Sequence, residues 1–398
     1  RANAYSEKPD TGRVAQDCLP PMSSLDRPSG SLLEHFAELE DPRTSYLVDH
    51  PLLDIVALTI CAVICGAETW EEIEAYGHSK LAWLQTFLEL PNGIPSHDTI
   101  SRVFALLEPS QLQACFASWV KCIAELSAGE VVSLDGKSVR RSYDKGAGKG
   151  AIHMVSAWAG QNQLVLGQVK VADKSNEITA IPKLLSILDV SGCIVTIDAM
   201  GTQTDIAKQI VDQGADYVLS LKGNQGNLHQ DVEQLFDWAS KTNFKDIDHE
   251  AHQTIDKGHG RLEIRRYWLL DKVEHLEDAR RWEGLKRVGM IESERRIEGQ
   301  PTSVERRYYL TSLDGGIERF AAATRSHWGI ENKLHWSLDV VFHEDDSRIR
   351  KGHAPENMTV MRKIALNLLA KESSKGSKKA KRLKAGWDND FLIQVLLA

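Results

Sequence analysis

The chain has 398 residues, room for two or three folded units at about 150 residues each. Apolar residues make up 42% and charged residues 26%, which excludes whole-chain disorder, and a net charge of −8 excludes a surface coated evenly in positive charge. The longest apolar stretch, Leu52 to Gly66, is interrupted by Asp54 and is shorter than the roughly 20 residues a membrane helix needs, so no membrane span is expected.

Arg1 to about Gly30 is polar and Pro-rich without periodicity, and disorder is expected there. Its first twenty residues carry mixed charges and no apolar run, unlike a secretory or organelle leader, so a cytoplasmic protein is expected; Met22 is a candidate native start. The six cysteines mostly fall in apolar periodic segments, where a thiol acts as a small hydrophobe rather than part of a disulfide or zinc framework.

From residue 31 to 127 apolar residues recur at helical spacing, broken at Asp41-Pro42, Pro91-Asn92-Gly93 and Glu108-Pro109, which predicts an all-helical N-terminal unit. Within it, Ser96-His97-Asp98-Thr99 offers caps for a helix over Thr99 to Leu107. That helix reads either as a major-groove helix of a helix-turn-helix or as an ordinary bundle helix. At Val131 the period becomes extended. Strands are predicted at Val131 to Leu134, His153 to Ala159, Leu164 to Val171, Ile194 to Ile197 and Tyr217 to Leu221, with helices at Ile178 to Leu188 and Thr204 to Gln213. This order predicts an α/β unit with a mixed sheet over 128–239 and 312–370. A helix at Leu228 to Ser240 closes its first part, and the alternating segments Ile264 to Leu270, Arg287 to Glu292 and Val304 to Leu310 predict a β-rich insertion at 240–311. A helix returns at Ile317 to Trp336. Residues 371–398 form a basic segment, with seven Lys/Arg against one Glu from Lys371 to Lys384, followed by an apolar helix expected to pack back on the body.

Asp135 ends one apolar strand and Asp198 another. A carboxylate at the end of a buried strand is costly unless paired, hydrogen-bonded or metal-bound. Each alone reads equally as a turn residue, Asp135 through Asp135-Gly136 and Asp198 as a cap. If the first and fourth strands are neighbours, however, the two can converge on shared divalent cations. Glu331 is the candidate third acid, on a stripe with His327 and His335 at helical spacing, flanked by Trp328 and Trp336. Asp, Asp and Glu on strand, strand and helix suit phosphoryl transfer at two Mg²⁺ or Mn²⁺ ions, whose preferred ligands are hard oxygens. A transition metal held by His327, Glu331 and His335 is the rival, and it leaves both Asp residues without a role.

These residues carry a resemblance. The chain resembles bacterial insertion-sequence transposases of the DDE type, in the branch of the H-repeat-associated proteins. The matching text runs from Leu33-Glu34-His35-Phe36 and Asp41-Pro42-Arg43 through Asp135-Gly136-Lys137, Lys174-Ser175-Asn176-Glu177-Ile178, Asp198-Ala199-Met200-Gly201-Thr202-Gln203, Lys222-Gly223-Asn224-Gln225 and His259-Gly260-Arg261 to the block from His327 to Asp345. It covers nearly everything from residue 30 onward. The resemblance implies an RNase H-like core with a β-rich insertion before the last acid, and Asp135, Asp198 and Glu331 as a triad holding Mg²⁺ or Mn²⁺, as two ions. It also implies double-stranded DNA as partner, both element ends and target, with self-association in the active complex. The triad spacings are 63 and 133 residues.

The broader superfamily places a Tyr, an Arg, the Glu and a Lys on its last helix, where this chain has Thr324, His327, Glu331 and Leu338. His327 is then the candidate for the Arg's phosphate contact, with Arg325 or Lys333 supplying charge, and Asp339 is the alternative third acid. Lys137, Lys222, Asn224, His259, Arg261, Lys378, Lys379, Lys381 and Arg382 complete the expected DNA contacts. The expected activity is end binding, phosphodiester hydrolysis and strand transfer; a DNA-binding relative without cleavage is the alternative.

Overall fold

The computed structural model describes residues 32–44, 48–172, 175–245, 247–258, 260–271, 273–276 and 278–398, so the expectation of a disordered start lies outside the described residues. Four helices open it: α1 (Leu52–Ile64), α2 (Trp70–Leu84), α3 (His97–Leu106) and α4 (Pro109–Ile123). Nearly every side chain of α1 is buried, as a helix apolar on all faces requires. Thr69 and Glu72 close a reciprocal capping box on α2, and Ser96 caps α3 by accepting from the Thr99 N–H. None of the described helices is long and apolar enough to cross a membrane.

Nine strands follow in one sheet: β1 (Val131–Ser138), β2 (His153–Ala159), β3 (Leu164–Lys170), β4 (Ile194–Ile197), β5 (Asp216–Leu221), β6 (His249–Gly258), β7 (Arg261–Leu270), β8 (Arg287–Ile297) and β9 (Ser303–Thr311). Their spatial order is β3-β2-β1-β4-β5-β9-β8-β7-β6. β1 pairs antiparallel with β2 and parallel with β4, and β4 is parallel to β5. The helices α5 (Glu177–Ile187), α6 (Thr204–Asp212) and α7 (Gly226–Lys241) lie between these strands in sequence. The four strands of 240–311 are hydrogen-bonded onto the same sheet, β9 pairing with β5.

The last acid's helix comprises α8 (Ile317–Gly329), a π-helical turn (Ile330–His335) and α9 (Trp336–Val340). α10 (Ala354–Lys371) is the central buried helix, followed by α11 (Lys378–Trp387) and α12 (Asn389–Leu396). α10 buries polar groups, and two asparagines among them tie it to its neighbours. Asn357 donates to the carbonyls of Phe104 and Leu107, fastening α3. Asn367 binds both the N–H and the C=O of Val165, which satisfies backbone groups on the edge strand β3. One apolar cluster runs from Leu32 and α1 through the first five strands to α10 and α12, so the opening helices and the sheet share a core.

Candidate active site

β1 runs on past the predicted end at Leu134, and this corrects the reading of Asp135-Gly136 as a turn: both residues stay in the strand, paired with Ser156 and Val155 of β2. What ends at this level is the parallel partner. Leu134 is level with Ile197, the last residue of β4, so the next residue on each chain is an aspartate, Asp135 beside Asp198. Neighbouring strands lie about 4.8 Å apart, so the two carboxylates enter one space at the end of β4. Asp198 itself leaves the sheet in a turn, its Oδ1 accepting from the N–H groups of Met200 and Gly201 at 3.1 and 3.3 Å.

Asp135 is half-buried, and burial pushes its carboxyl up to about 7, with Glu177, Asp198 and Glu331 adding to the rise through their charge. The three predicted acids therefore share an electrostatic site, and Glu177, which opens α5, joins them. Its Oε1 lies 2.7 Å from Nε2 of His153, whose Nδ1 lies 2.8 Å from the Ser138 hydroxyl. Glu331 is exposed and sits in the π-helical turn, a local widening of the helix that recurs at functional sites. Among the described residues no three His, Cys, Asp or Glu side chains are close enough to form a ready-made metal cage. The charges felt at Asp135, those of Glu177, Asp198 and Glu331, come from hard oxygen donors of the kind Mg²⁺ or Mn²⁺ prefers.

His327 is turned toward β4. Its Nδ1 lies 2.9 Å from the Thr196 hydroxyl on β4, and burial holds its pKa down to about 4, so the ring is neutral. His335 points to the first acid, with Nδ1 3.6 Å from Asp135 Oδ2. Burial, with Lys363 and Lys137 nearby, lowers its pKa to about 3, and its Nε2 has no hydrogen-bond partner among the described residues. The His327, Glu331, His335 stripe is thus divided: one ring faces β4, one faces β1, and the carboxylate faces solvent.

Lys137 is likewise not a free cation. Its ammonium lies 2.7 Å from Asp339, 2.9 Å from Asp345 and 3.4 Å from Glu344, tying β1 to α9 and the turn after it. This occupies Asp339, the alternative third acid. Behind it Glu344 is also paired with the buried Arg362, while Lys363 donates to Ser156, the strand partner of Asp135, at 2.9 Å and also to Gln168. Burial pulls the Lys363 pKa down to about 8.

Of the other expected DNA contacts, Lys222 and Asn224 are exposed just after β5, and the Asn224 amide donates to Ala199 O, bracing the loop behind Asp198. Lys333 and Lys379 are exposed, and Lys378 is close enough to Lys333 for that charge, after burial, to help lower its pKa. Arg325 lies 3.7 Å from Asp256, and Arg261 lies 3.3 Å from Glu263 at an exposed position. His259 lies outside the described residues. Lys381 and Arg382 are corrected. Lys381 donates to the carbonyls of Leu369 and Glu372, and Arg382 donates to Val341 O and, at 2.9 Å, to Val63 O while covering the Phe342 ring. Both are buried and serve the fold.

The family description "Transposase DDE domain" matches residues 126–368, and "DDE_Tnp_1-associated" matches residues 33–120. The chain belongs to the DDE transposase family. It is 43% identical over 370 residues to the "H repeat-associated putative transposase YhhI" of Escherichia coli strain K12, covering 92% of this chain and 97% of that one. It has the same identity over the same length to the "Putative transposase YncI" of Escherichia coli O157:H7, covering 94% of that protein. Among solved structures it is similar to a piggyBac transposase synaptic complex with hairpin DNA, at a TM-score of 0.41 and 10% identity, over 93% of this chain and 79% of the other.

Proposed function

We propose that the chain is an active DNA transposase that binds the ends of its element, hydrolyses a phosphodiester to free a 3′-hydroxyl and directs that hydroxyl at target DNA. The observation that carries the reading is the register of β1 and β4, which brings Asp135 level with Asp198, together with the charge of Glu331 felt at Asp135. The order β3-β2-β1-β4-β5 supports an RNase H-like core, extended at one side by the strands of residues 240–311. Helices α1 to α4 form an accessory DNA-end-binding unit in this reading.

Asp135, Asp198 and Glu331 would hold Mg²⁺ or Mn²⁺, two ions supplying charge neutralisation and activation of the attacking hydroxyl. The chain's own part is to place carboxylates and cations around a phosphodiester. Lys222 is exposed after β5 and Lys333 lies two residues beyond Glu331, so both flank the acids with positive charge suited to phosphate oxygens. Lys378 and Lys379 extend that field, whereas the neutral His327 orients the helix through Thr196. Paired ends require at least two copies in the active complex. Glu331→Gln tests the assignment: cleavage should vanish while band-shift affinity for end DNA stays within about twofold. Cleavage at the unaltered rate would remove Glu331 from the triad.

A further inference from the structure

We propose that Glu177 is a fourth carboxylate of the metal site and that His153 is the residue that positions it; the proposal rests on the metal-dependent reading above. Glu177 stands at the first turn of α5, across from Gly136, the residue after Asp135. A side chain at position 136 is sterically impossible without moving it: a Cβ there would overlap Oε1 of Glu177 and Nε2 of His153. Gly136 is an ordinary strand residue with no positive φ, so what calls for its missing side chain is this cradle rather than a turn.

The hydrogen bonds fix the direction of the carboxylate. Nε2–H of His153 donates to Oε1 of Glu177 at 2.7 Å, since an ionised carboxylate only accepts, and the Ser138 hydroxyl lies 2.8 Å from the other ring nitrogen, Nδ1. Among the described residues Oε2 has no hydrogen bond, which leaves it available to a cation. The Glu177 side chain is 13% exposed and that of His153 31%, so the pair borders the open side of the site rather than the core. Four carboxylates also match the charge of two divalent cations, where three leave one positive charge over.

Glu177→Gln keeps the size and the acceptor for His153 and removes the charge. Mn²⁺ binding to the full chain without DNA, followed by titration calorimetry, should weaken by about 10- to 100-fold, with far-UV circular dichroism unchanged. Gly136→Ala, which displaces Glu177 without altering any acid, should weaken Mn²⁺ binding in the same direction. His153→Gln, still a donor to Oε1, should recover more of the affinity than His153→Leu. Mn²⁺ affinity within twofold of the unaltered protein in both Glu177→Gln and Gly136→Ala would overturn the role of Glu177 alone. Absence of Mn²⁺ uptake by the unaltered protein would overturn the metal reading and the role of Glu177 with it.

Discussion

Replacing Asp135 by Asn should stabilise the metal-free protein, and by an amount that grows with pH. The folded carboxyl titrates near 7, raised from 3.8 by burial and by Glu177, Asp198 and Glu331. The sign is opposite to that of a salt-bridged aspartate: between these values the unfolded chain releases the proton and the folded chain keeps it, so stability falls as pH rises and levels off above 7. Each pH unit well inside that window is worth about 1.4 kcal/mol and the slope halves at pH 7, so pH 5 to 7 accounts for about 2 kcal/mol. Asn has no proton to lose, and the variant escapes this loss. Urea unfolding in EDTA, followed by the fluorescence of the ten tryptophans, measures it. The variant's advantage over the unaltered chain should widen by about 2 kcal/mol from pH 5 to 7. An advantage that does not change with pH would refute the crowded-carboxylate account of the site.

Lys137→Met should cost at least about 3 kcal/mol, because it leaves Asp339, Glu344 and Asp345 facing one another without their shared cation, and the loss should shrink at low pH as they protonate. Arg382→Met should destabilise by about 3 kcal/mol through the lost bonds to Val63 and Val341, measured by urea unfolding, while Lys379→Met stays within about 0.5 kcal/mol. Replacing Lys333 and Lys378 together by Gln should lower the slope of log affinity for DNA against log salt by about 2, with folding unaffected.

Much of the fold is written in local pattern. The strands from Val131 to Leu221 alternate or run apolar between turn residues, and the caps of α3 are plain in Ser96 to Thr99. That the two aspartates come level follows from apolar runs ending alike at Leu134 and Ile197, although the pairing of β1 with β4 is a tertiary fact. Other features are decided by packing that a sequence does not display. A Lys/Arg run reads as solvated, yet helical geometry turns Lys381 and Arg382 inward to carbonyls that α10, α1 and the segment after α9 leave open. Lys137 reads as a phosphate contact until Asp339, Glu344 and Asp345 are brought to it from some two hundred residues away. A π-helical turn breaks the 100° stripe that seemed to join His327, Glu331 and His335. Glu177 had one available signal, its place in the matching run Lys174-Ser175-Asn176-Glu177-Ile178, but an acid in the first turn of a helix reads equally as a favourable partner of the helix dipole.

The most direct test of the central claim is divalent-metal-dependent cleavage of DNA carrying the element's own flanking sequence, comparing the unaltered protein with Asp198→Asn. A 3′-hydroxyl is expected at the element end in Mg²⁺ or Mn²⁺ and none with the variant, both proteins binding the DNA. Binding without cleavage by the unaltered protein in either metal would contradict it and leave a DNA-binding relative.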